Sequence, residues 1–576
     1  MMSALPAGGE FLLRPPAIAP FVPEDFTSEQ RQIAATTEAF INNEILPDLD
    51  RLEQQDFELL REKLCRCAEL GLFLVDIPEE YGGLELDKAT SMLVAETIGP
   101  SGSFAITSSG QTGIGSLPLV YYGTAEQKQK YLEKLTSGAW IGAYCLTEPD
   151  CGSDPLSARA TAVLSEDGSC YILNGVKQFI TNAAFANLFT VFAKIDGRQF
   201  SAFLVERQTA GLSIGREEQK MGLKGTSTAQ VILENVRVPV GNLLGEAGKG
   251  HKIAFNVLNI GRLKLAATVV GAAKGALAEA AGYAGERKQF GRRLIEFGAI
   301  GEKLADMSAA LFAAESVLYR VAGLLDARIA ALDRGGDDYY QRYQQAIEEY
   351  AGECAIAKVF CSETLAQVAD EALQIHGGYG YIRDYPVERF YRDQRINRIF
   401  EGTNEINRML IPTLLLRRAD EGRLDLWPRA QAVKDAWDSD KREETGQELL
   451  TNVRTLYLLL LASVRERRGE QEILLALGDM AIDIFALESS LLRVRRAGAG
   501  ASAQKRSLLE AAAVINHFEI AGRLRQSALR LNAYGSDDPE MLPGQIERLC
   551  RCPGTGLLAA KRSLAAATGE AGGYLF

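Results

Sequence analysis

Histidine is nearly absent from this chain, with His251, His376 and His517 the only three in 576 residues. The nine cysteines include no Cys-x-x-Cys, and Cys65/Cys67 and Cys550/Cys552 stand too close together for a zinc knuckle. With no His/Cys cluster, no protein-built metal site is expected, and the cysteines read as buried free thiols of a reducing compartment. Long apolar runs are missing as well. The longest, Leu456 to Val464, falls far short of a membrane span. The opening Met1-Met2-Ser3-Ala4-Leu5-Pro6 lacks the basic segment and apolar core of a secretory signal, so a cytoplasmic protein is expected. Positive charge is not in excess either. The net charge is −12, which argues against nucleic-acid binding. It is unevenly spread, with +1 over residues 412–576 and −13 over 1–411, so the last quarter differs in electrostatic character.

What is present is an ordinary globular composition, 47% apolar and 24% charged, in a chain long enough for several cores. Residues 1–26 are rich in Pro and Gly and read as an extended arm. Helical patterning over 27–143 begins at a Ser/Thr cap, Thr27-Ser28-Glu29-Gln30. Over 144–250 the texture changes to short Val/Ile/Thr/Phe runs separated by Asp167-Gly168, Asn174-Gly175 and Asp196-Gly197. These are hairpin signals, which predict a compact antiparallel β domain. Long Ala/Leu-rich segments at 251–285, 299–334, 339–376 and 404–418 predict a four-helix bundle over 251–418. Residues 419–576 read as a helical C-terminal extension, entered by a connector, Asp420–Asp440. Its amphipathic helices end in Arg465, Arg467 and Arg468 and in Arg493, Arg495 and Arg496. Such a face is either core packing or a basic surface for peripheral contact with anionic lipid. The fold class is therefore multidomain α+β.

The most informative stretch runs from Tyr391 to Pro412. A helical pattern is interrupted at Phe400-Glu401-Gly402-Thr403 and then resumes. Gly402 breaks the first helix, and Thr403 followed by Asn404 and Glu405 reads as an N-cap with an acidic first turn. Glu401 is thereby placed on a loop, free to point into a cavity. Alone it would be a solvated charge. Six further segments go with it. They are Tyr144-Cys145-Leu146-Thr147-Glu148-Pro149-Asp150-Cys151-Gly152-Ser153-Asp154, Lys177-Gln178-Phe179-Ile180-Thr181-Asn182 and Met221-Gly222-Leu223-Lys224-Gly225-Thr226-Ser227-Thr228-Ala229, then Asn259-Ile260-Gly261-Arg262, and finally the pair Glu286-Arg287-Lys288-Gln289-Phe290-Gly291 and Leu373-Gln374-Ile375-His376-Gly377-Gly378-Tyr379-Gly380.

In this order and in these domains, the segments resemble the acyl-CoA dehydrogenase family over residues 25–412. The chain is most similar to the enlarged very-long-chain branch, whose members also carry a helical C-terminal extension. The resemblance implies an FAD-dependent enzyme in which Glu401 removes the α-proton of an acyl thioester while flavin N5 accepts the β-hydride. It implies FAD contacts from Tyr144, Leu146, Thr147, Gly152, Ser153, Phe179 and Thr181 beside the isoalloxazine. Contacts from Arg287, Gln289, Phe290, Gln374, Gly377 and Gly378 would hold the pyrophosphate and adenine across a dimer interface, and Thr403 and Glu405 would complete the set. Substrate contacts are implied for Ser153, Asn259, Arg262, Phe400, Glu401 and Gly402. The backbone N–H of Glu401 and a ribityl hydroxyl of FAD would meet the developing enolate.

Burial beside Phe400 is expected to raise the pKa of Glu401 once substrate excludes water. Two departures stand out. Asp150 and Cys151 occupy positions where the family has Gly or Ser, and Gly261 stands where the isovaleryl-type branch carries its base. His376 replaces a commonly apolar residue and reads as a packed helix-end histidine. The small, polar helix Ser103 to Gly115 would border the acyl tail and favours a long chain. The implied partners are acyl-CoA, an electron-transfer flavoprotein as acceptor, and a second copy of the chain in a homodimer. Two alternatives remain open: a flavin oxidase on the same scaffold, and a scaffold or assembly protein acting through the C-terminal helices.

Overall fold

The structure is a computed structural model that describes residues 5–336, 338–438, 448–535, 542–552 and 554–576. Residues 1–4 of the expected arm and 439–440 of the expected connector lie outside these. The chain divides into two compact units, Thr27–Ala272 with Ala331–Glu348, and Met1–Phe26 with Ala273–Ala330 and Glu349–Phe576.

The first unit opens with helices α1 (Ser28–Phe40), α2 (Phe57–Glu69), α3 (Lys88–Ile98), α4 (Ser103–Gly110) and α5 (Ala125–Thr136). The expected cap is present. The Thr27 hydroxyl accepts from the Gln30 N–H at 3.2 Å, and the Thr27 N–H donates to Gln30 Oε1 at 2.9 Å. Apolar faces of these helices meet in a core that includes Phe40, Leu60, Leu64, Phe73 and Phe104.

The sheet that follows comprises β1 (Gly142–Cys145), β2 (Thr161–Leu164), β3 (Cys170–Thr181), β4 (Leu188–Ile195), β5 (Gln199–Glu206), β6 (Leu212–Glu217), β7 (Thr228–Pro239) and β8 (Leu243–Leu244). Its spatial order is β6-β7-β3-β2-β4-β5-β8, with β1 beside β4. The sheet is mixed rather than wholly antiparallel, because β1 and β2 both run parallel to β4. A long loop, not a hairpin turn, joins β1 to β2, and that lets the two point the same way. Asp167-Gly168 and Asp196-Gly197 do connect neighbouring strands. Asn174-Gly175 does not. It lies inside β3, where the pairing with β7 shifts register. Gly175 has φ 147°, and a Cβ there would stand 2.8 Å from that of Ala160.

Helix α6 (Gly250–Glu286) leads into the second unit, followed by α7 (Gly298–Ala330), α8 (Ala351–His376) and α9 (Asn404–Asp420). The single helix expected over 339–376 is broken at Tyr350 (φ −107°, ψ 25°), whose hydroxyl donates to the Pro6 carbonyl at 2.7 Å. Helices α6 and α7 are long and apolar enough by composition to cross a bilayer, yet 78% and 83% of their apolar windows are buried inside the protein.

The extension adds α10 (Leu449–Ser463), α11 (Gln471–Gly498), α12 (Ala503–Gly535) and α13 (Leu557–Ala571), the last not anticipated from sequence. Phe312 of α7 packs with Leu509, Ile515 and Leu564 of the extension in one core. Within the expected connector Trp427 lies in a helix, Leu426–Asp438, and its indole N–H donates to Asp420 at 2.9 Å. The expected basic surface does not form at Arg493. That side chain is fully buried and pairs with Glu315 and Glu24, leaving Arg495 and Arg496 exposed beside Glu448 and Asp25.

Candidate active site

In the first unit, the segment after β1 is stitched to β3. The Gln178 N–H donates to the Thr147 carbonyl at 2.9 Å, and Lys177 Nζ reaches the Leu146 carbonyl at 3.3 Å. Lys177 is fully buried and pairs with Glu148 at 2.6 Å, and that carboxylate also accepts the N–H groups of Arg159 and Ala160. Burial lowers the Lys177 pKa, and Glu148 opposes that shift. Glu148 and Cys151 exchange backbone hydrogen bonds across Pro149-Asp150, so Cys151 turns inward while Gly152 and Ser153 stay exposed. Tyr144 is committed to the core, its ring 5.0 Å from that of Phe192 and its hydroxyl on the Ala254 carbonyl.

Phe179 sits at a bulge in β3 with φ 57° and is 61% exposed. An aromatic residue in the left-handed region is strained by about 1–2 kcal/mol, and most of this ring is exposed rather than packed. Phe179→Asn should therefore raise the Tm of the cofactor-free protein slightly, by the equivalent of up to about 1 kcal/mol. A lowered Tm would mean that the ring contributes packing after all.

Thr181 lies beside Gly110, where an added Cβ would come within 3.5 Å of its methyl. The small polar residues of α4 are partly committed to packing. Ser103 Oγ accepts from the Gly225 N–H at 3.1 Å, and Thr107 meets Thr226 at 3.4 Å. After Gly110 the helix widens over Gln111–Gly115, and buried Gln111 donates to Leu135 and Trp140 and accepts from the Gly142 N–H. Asn259 and Arg262, adjacent on α6, are both buried and hydrogen-bonded at 2.8 Å, so Arg262 is not a surface charge.

In the second unit, Arg287, Gln289, Gly377 and Gly378 line one cavity of about 490 Å³ with Tyr283, His376 and Tyr379. The Arg287 guanidinium lies over the Tyr379 ring at 5.3 Å, and His376 stacks on Tyr283 at 4.2 Å. His376 is buried at the end of α8 with Nδ1 2.8 Å from the Ala372 carbonyl, and burial pushes its pKa down. A Cβ on Gly377 or Gly378 would meet nothing within 4 Å, so a ligand's edge can approach the backbone. Gln374 is exposed and does not line this cavity. Phe290 stands at the tip of a short hairpin, Lys288–Gln289 against Arg292–Arg293, and is 93% exposed.

The loop before α9 has the predicted form. Glu401 and Gly402 are consecutive left-handed residues, φ 56° and 79°, and Thr403 caps the helix by accepting from the Ile406 N–H at 3.2 Å. Glu405, in the first turn, has its pKa lowered by a hydrogen bond from its own backbone N–H, with the Thr403 hydroxyl adding to it. Buried Lys358 donates to the Gly402 carbonyl at 2.8 Å and to Asn404 Oδ1 at 2.7 Å. Asn407 Nδ2 donates to the carbonyls of Gly402, Thr403 and Glu401 at 2.8, 3.1 and 3.3 Å. Three carbonyls of the loop are thus held in place, and the Glu401 side chain is half-buried. Lys358 and Asn407 were not anticipated. Lys358 lies on another helix, far off in sequence, and Asn407 reads as an ordinary helix residue.

Sequence profiles described as acyl-CoA dehydrogenase N-terminal, middle and C-terminal domains match residues 27–139, 143–236 and 248–416. A further profile, also described as an acyl-CoA dehydrogenase C-terminal domain, matches 464–541. A probable acyl-CoA dehydrogenase of Bacillus subtilis is 43% identical over 570 residues, 96% of either chain. The mouse mitochondrial very long-chain specific acyl-CoA dehydrogenase is 40% identical over 353 residues, 60% of this chain and 51% of that one. The crystal structure of an acyl-CoA dehydrogenase complexed with FAD from Bacillus anthracis superposes with a TM-score of 0.95 at 43% identity, covering 99% of this chain and all of that one.

Proposed function

The chain belongs to the acyl-CoA dehydrogenase family and uses FAD, and from that premise we propose that it oxidises long-chain acyl-CoA to trans-2-enoyl-CoA with Glu401 as the base. The observation that carries the role of Glu401 is its left-handed backbone, followed by Gly402 and fixed by Asn407 and Lys358. Non-glycine residues hold that conformation only where the surroundings over-determine it, and such positions cluster at functional sites. A thioester α-proton is too weakly acidic for a free carboxylate to remove. A donor must meet the negative charge that develops on the thioester oxygen, and the Glu401 N–H is the donor this loop offers. Phe400, half-buried next to it, keeps the neighbourhood apolar.

The cavity around Arg287 fits a dinucleotide. A guanidinium pairs with pyrophosphate and cannot lose its charge, while the rings of Tyr283 and Tyr379 offer faces to a planar base. FAD, when bound, supplies the hydride acceptor. The exposed Phe179, Thr181 and the Leu146–Thr147 backbone are the groups this chain offers to the flavin. Long-chain preference draws on the small residues of α4, tempered by the share of them engaged in packing. A second copy of the chain would cover the exposed rings of Phe290 and Tyr381, 93% and 86% exposed, which suits a homodimer. An electron-transfer flavoprotein is the proposed acceptor. Lipid contact is no part of the proposal, because Arg493 is buried and Arg465 and Arg468 lie over the Trp427 ring.

Anaerobic mixing of the FAD-loaded protein with butyryl-, octanoyl- and palmitoyl-CoA tests this reading. Loss of the oxidised flavin band is expected, fastest with palmitoyl-CoA. Faster bleaching by butyryl-CoA would overturn the chain-length assignment. No bleaching by any of the three would overturn the reaction.

A further inference from the structure

Resting on the assignment of Glu401 as the base, we infer that the C-terminal extension positions the Glu401 loop, through Asp479 holding Arg408 against Glu363. The path is continuous in the second unit. Asp479 on α11 accepts from Arg408 Nε at 2.6 Å, and Arg408 Nη2 donates to both oxygens of Glu363 at 2.7 Å. Glu363 Oε1 accepts from Asn404 Nδ2 at 3.2 Å, and Ser362 accepts from the same nitrogen at 3.1 Å. Asn404 in turn takes the Lys358 ammonium that holds the Gly402 carbonyl, one residue from the base. Apart from the Ser362 bond, every link from Asp479 to the Gly402 carbonyl has a charged partner, which strengthens it and makes it directional.

Backbone packing supports the same connection independently. Gly478, beside Asp479, brings α11 so close to α9 that a Cβ there would lie 2.3 Å from the Arg408 carbonyl oxygen. The extension therefore touches the helix that follows the Glu401 loop, through main chain as well as through an ion pair. Glu363, Arg408 and Asp479 line a cavity of about 400 Å³ together with Asp483 and Arg523, and those two pair at 2.7 Å. With solvent on one side of Arg408, the carboxylates of Glu363 and Asp479 fix its orientation. Removing Asp479 takes away one of the two carboxylates that orient the guanidinium, so the Arg408–Glu363 pair loosens and Asn404 is held less firmly, by Ser362 and a mobile Glu363.

Four variants of the FAD-loaded protein test this: Asp479→Asn, Asp479→Glu, Gly478→Ala and the remote control Arg525→Gln, which breaks an exposed pair with Glu547 within the extension. Asp479→Asn and Gly478→Ala are expected to slow flavin reduction by acyl-CoA about tenfold, with the half-saturating acyl-CoA concentration unchanged. Asp479→Glu should restore most of the rate, and Arg525→Gln should leave it unaltered. Amide hydrogen exchange over 399–410 is expected to be faster in the two slow variants. Wild-type rates and exchange in both would overturn the inference, as would an equal slowing in Arg525→Gln. If the wild-type flavin is not reduced by any acyl-CoA, the assigned reaction falls, and the exchange data alone then decide whether the extension positions this loop.

Discussion

Glu401→Gln is expected to yield a yellow, FAD-containing protein whose flavin band persists under anaerobic palmitoyl-CoA, its reduction slowed by about 10²–10⁴. Gln keeps the length and shape of the side chain, so the left-handed backbone and the ties from Asn407 and Lys358 need not move. What is lost is the basic oxygen. The Glu401 N–H remains as a donor to the thioester carbonyl, so acyl-CoA should still bind and perturb the flavin spectrum without bleaching it. Glu401→Asp isolates the other requirement. It keeps the charge but withdraws it by one methylene, and a misplacement of about 1 Å can remove roughly 10² of rate. A Gln variant that bleaches at the wild-type rate would mean that another group takes the proton.

Much of this site was legible because its signals are local. Gly402 and Thr403 announce a helix break and a cap within two residues, and cap chemistry depends on no distant partner. The same locality misled at Asn174-Gly175. That dipeptide favours a hairpin turn, but Ala160 crowds Gly175 and β7 pairs on both sides of it, so the dipeptide runs on as strand and the extra residue at the register shift lies in β7. Tertiary pairing overrode turn preference there. The strand β6, Leu212–Glu217, escaped notice because it is half-exposed at the sheet edge and carries no run of apolar residues. Phe179 was legible as a strand aromatic next to a flavin motif. Its positive φ was not, since only the bulge in the β3–β7 register imposes it. The ties of Lys358 to Gly402 and of Asp479 to Arg408 join residues 44 and 71 positions apart, and no periodicity encodes such pairs.

Arg493→Met is expected to destabilise the second unit by about 3–5 kcal/mol, because it strips the cation from a buried cluster and leaves the carboxylates behind. Sequence patterning places this arginine at the basic end of an amphipathic helix, where loss of charge would matter little. In the structure it is fully buried, bonded to Glu315 and Glu24, with its guanidinium 4.5 Å from the Phe312 ring. Glu24 belongs to the N-terminal arm, Glu315 to α7 and Arg493 to the extension, so one side chain ties three segments. Burial alone would push the Glu315 carboxyl up. Arg493, with Lys274 and the Tyr574 hydroxyl, holds it down at about 2. A carboxyl depressed in the folded state contributes stability above its unfolded pKa of roughly 4.3, and that contribution is lost as pH falls towards the folded value. The Met variant lacks most of it at neutral pH, so the gap in Tm from wild type should narrow on acidification through that window. Removing the partner as well, in Glu315→Gln with Arg493→Met, should recover part of the loss, because the buried Glu315 carboxylate is then no longer left without its arginine, while Lys274 and Glu24 keep some access to solvent. Thermal melts of Arg493→Met, Glu315→Gln and the double variant at neutral and acid pH separate the possibilities. If the double variant is as unstable as the sum of its single variants, or the gap does not change with pH, Arg493 stabilises by packing over Phe312 rather than by pairing.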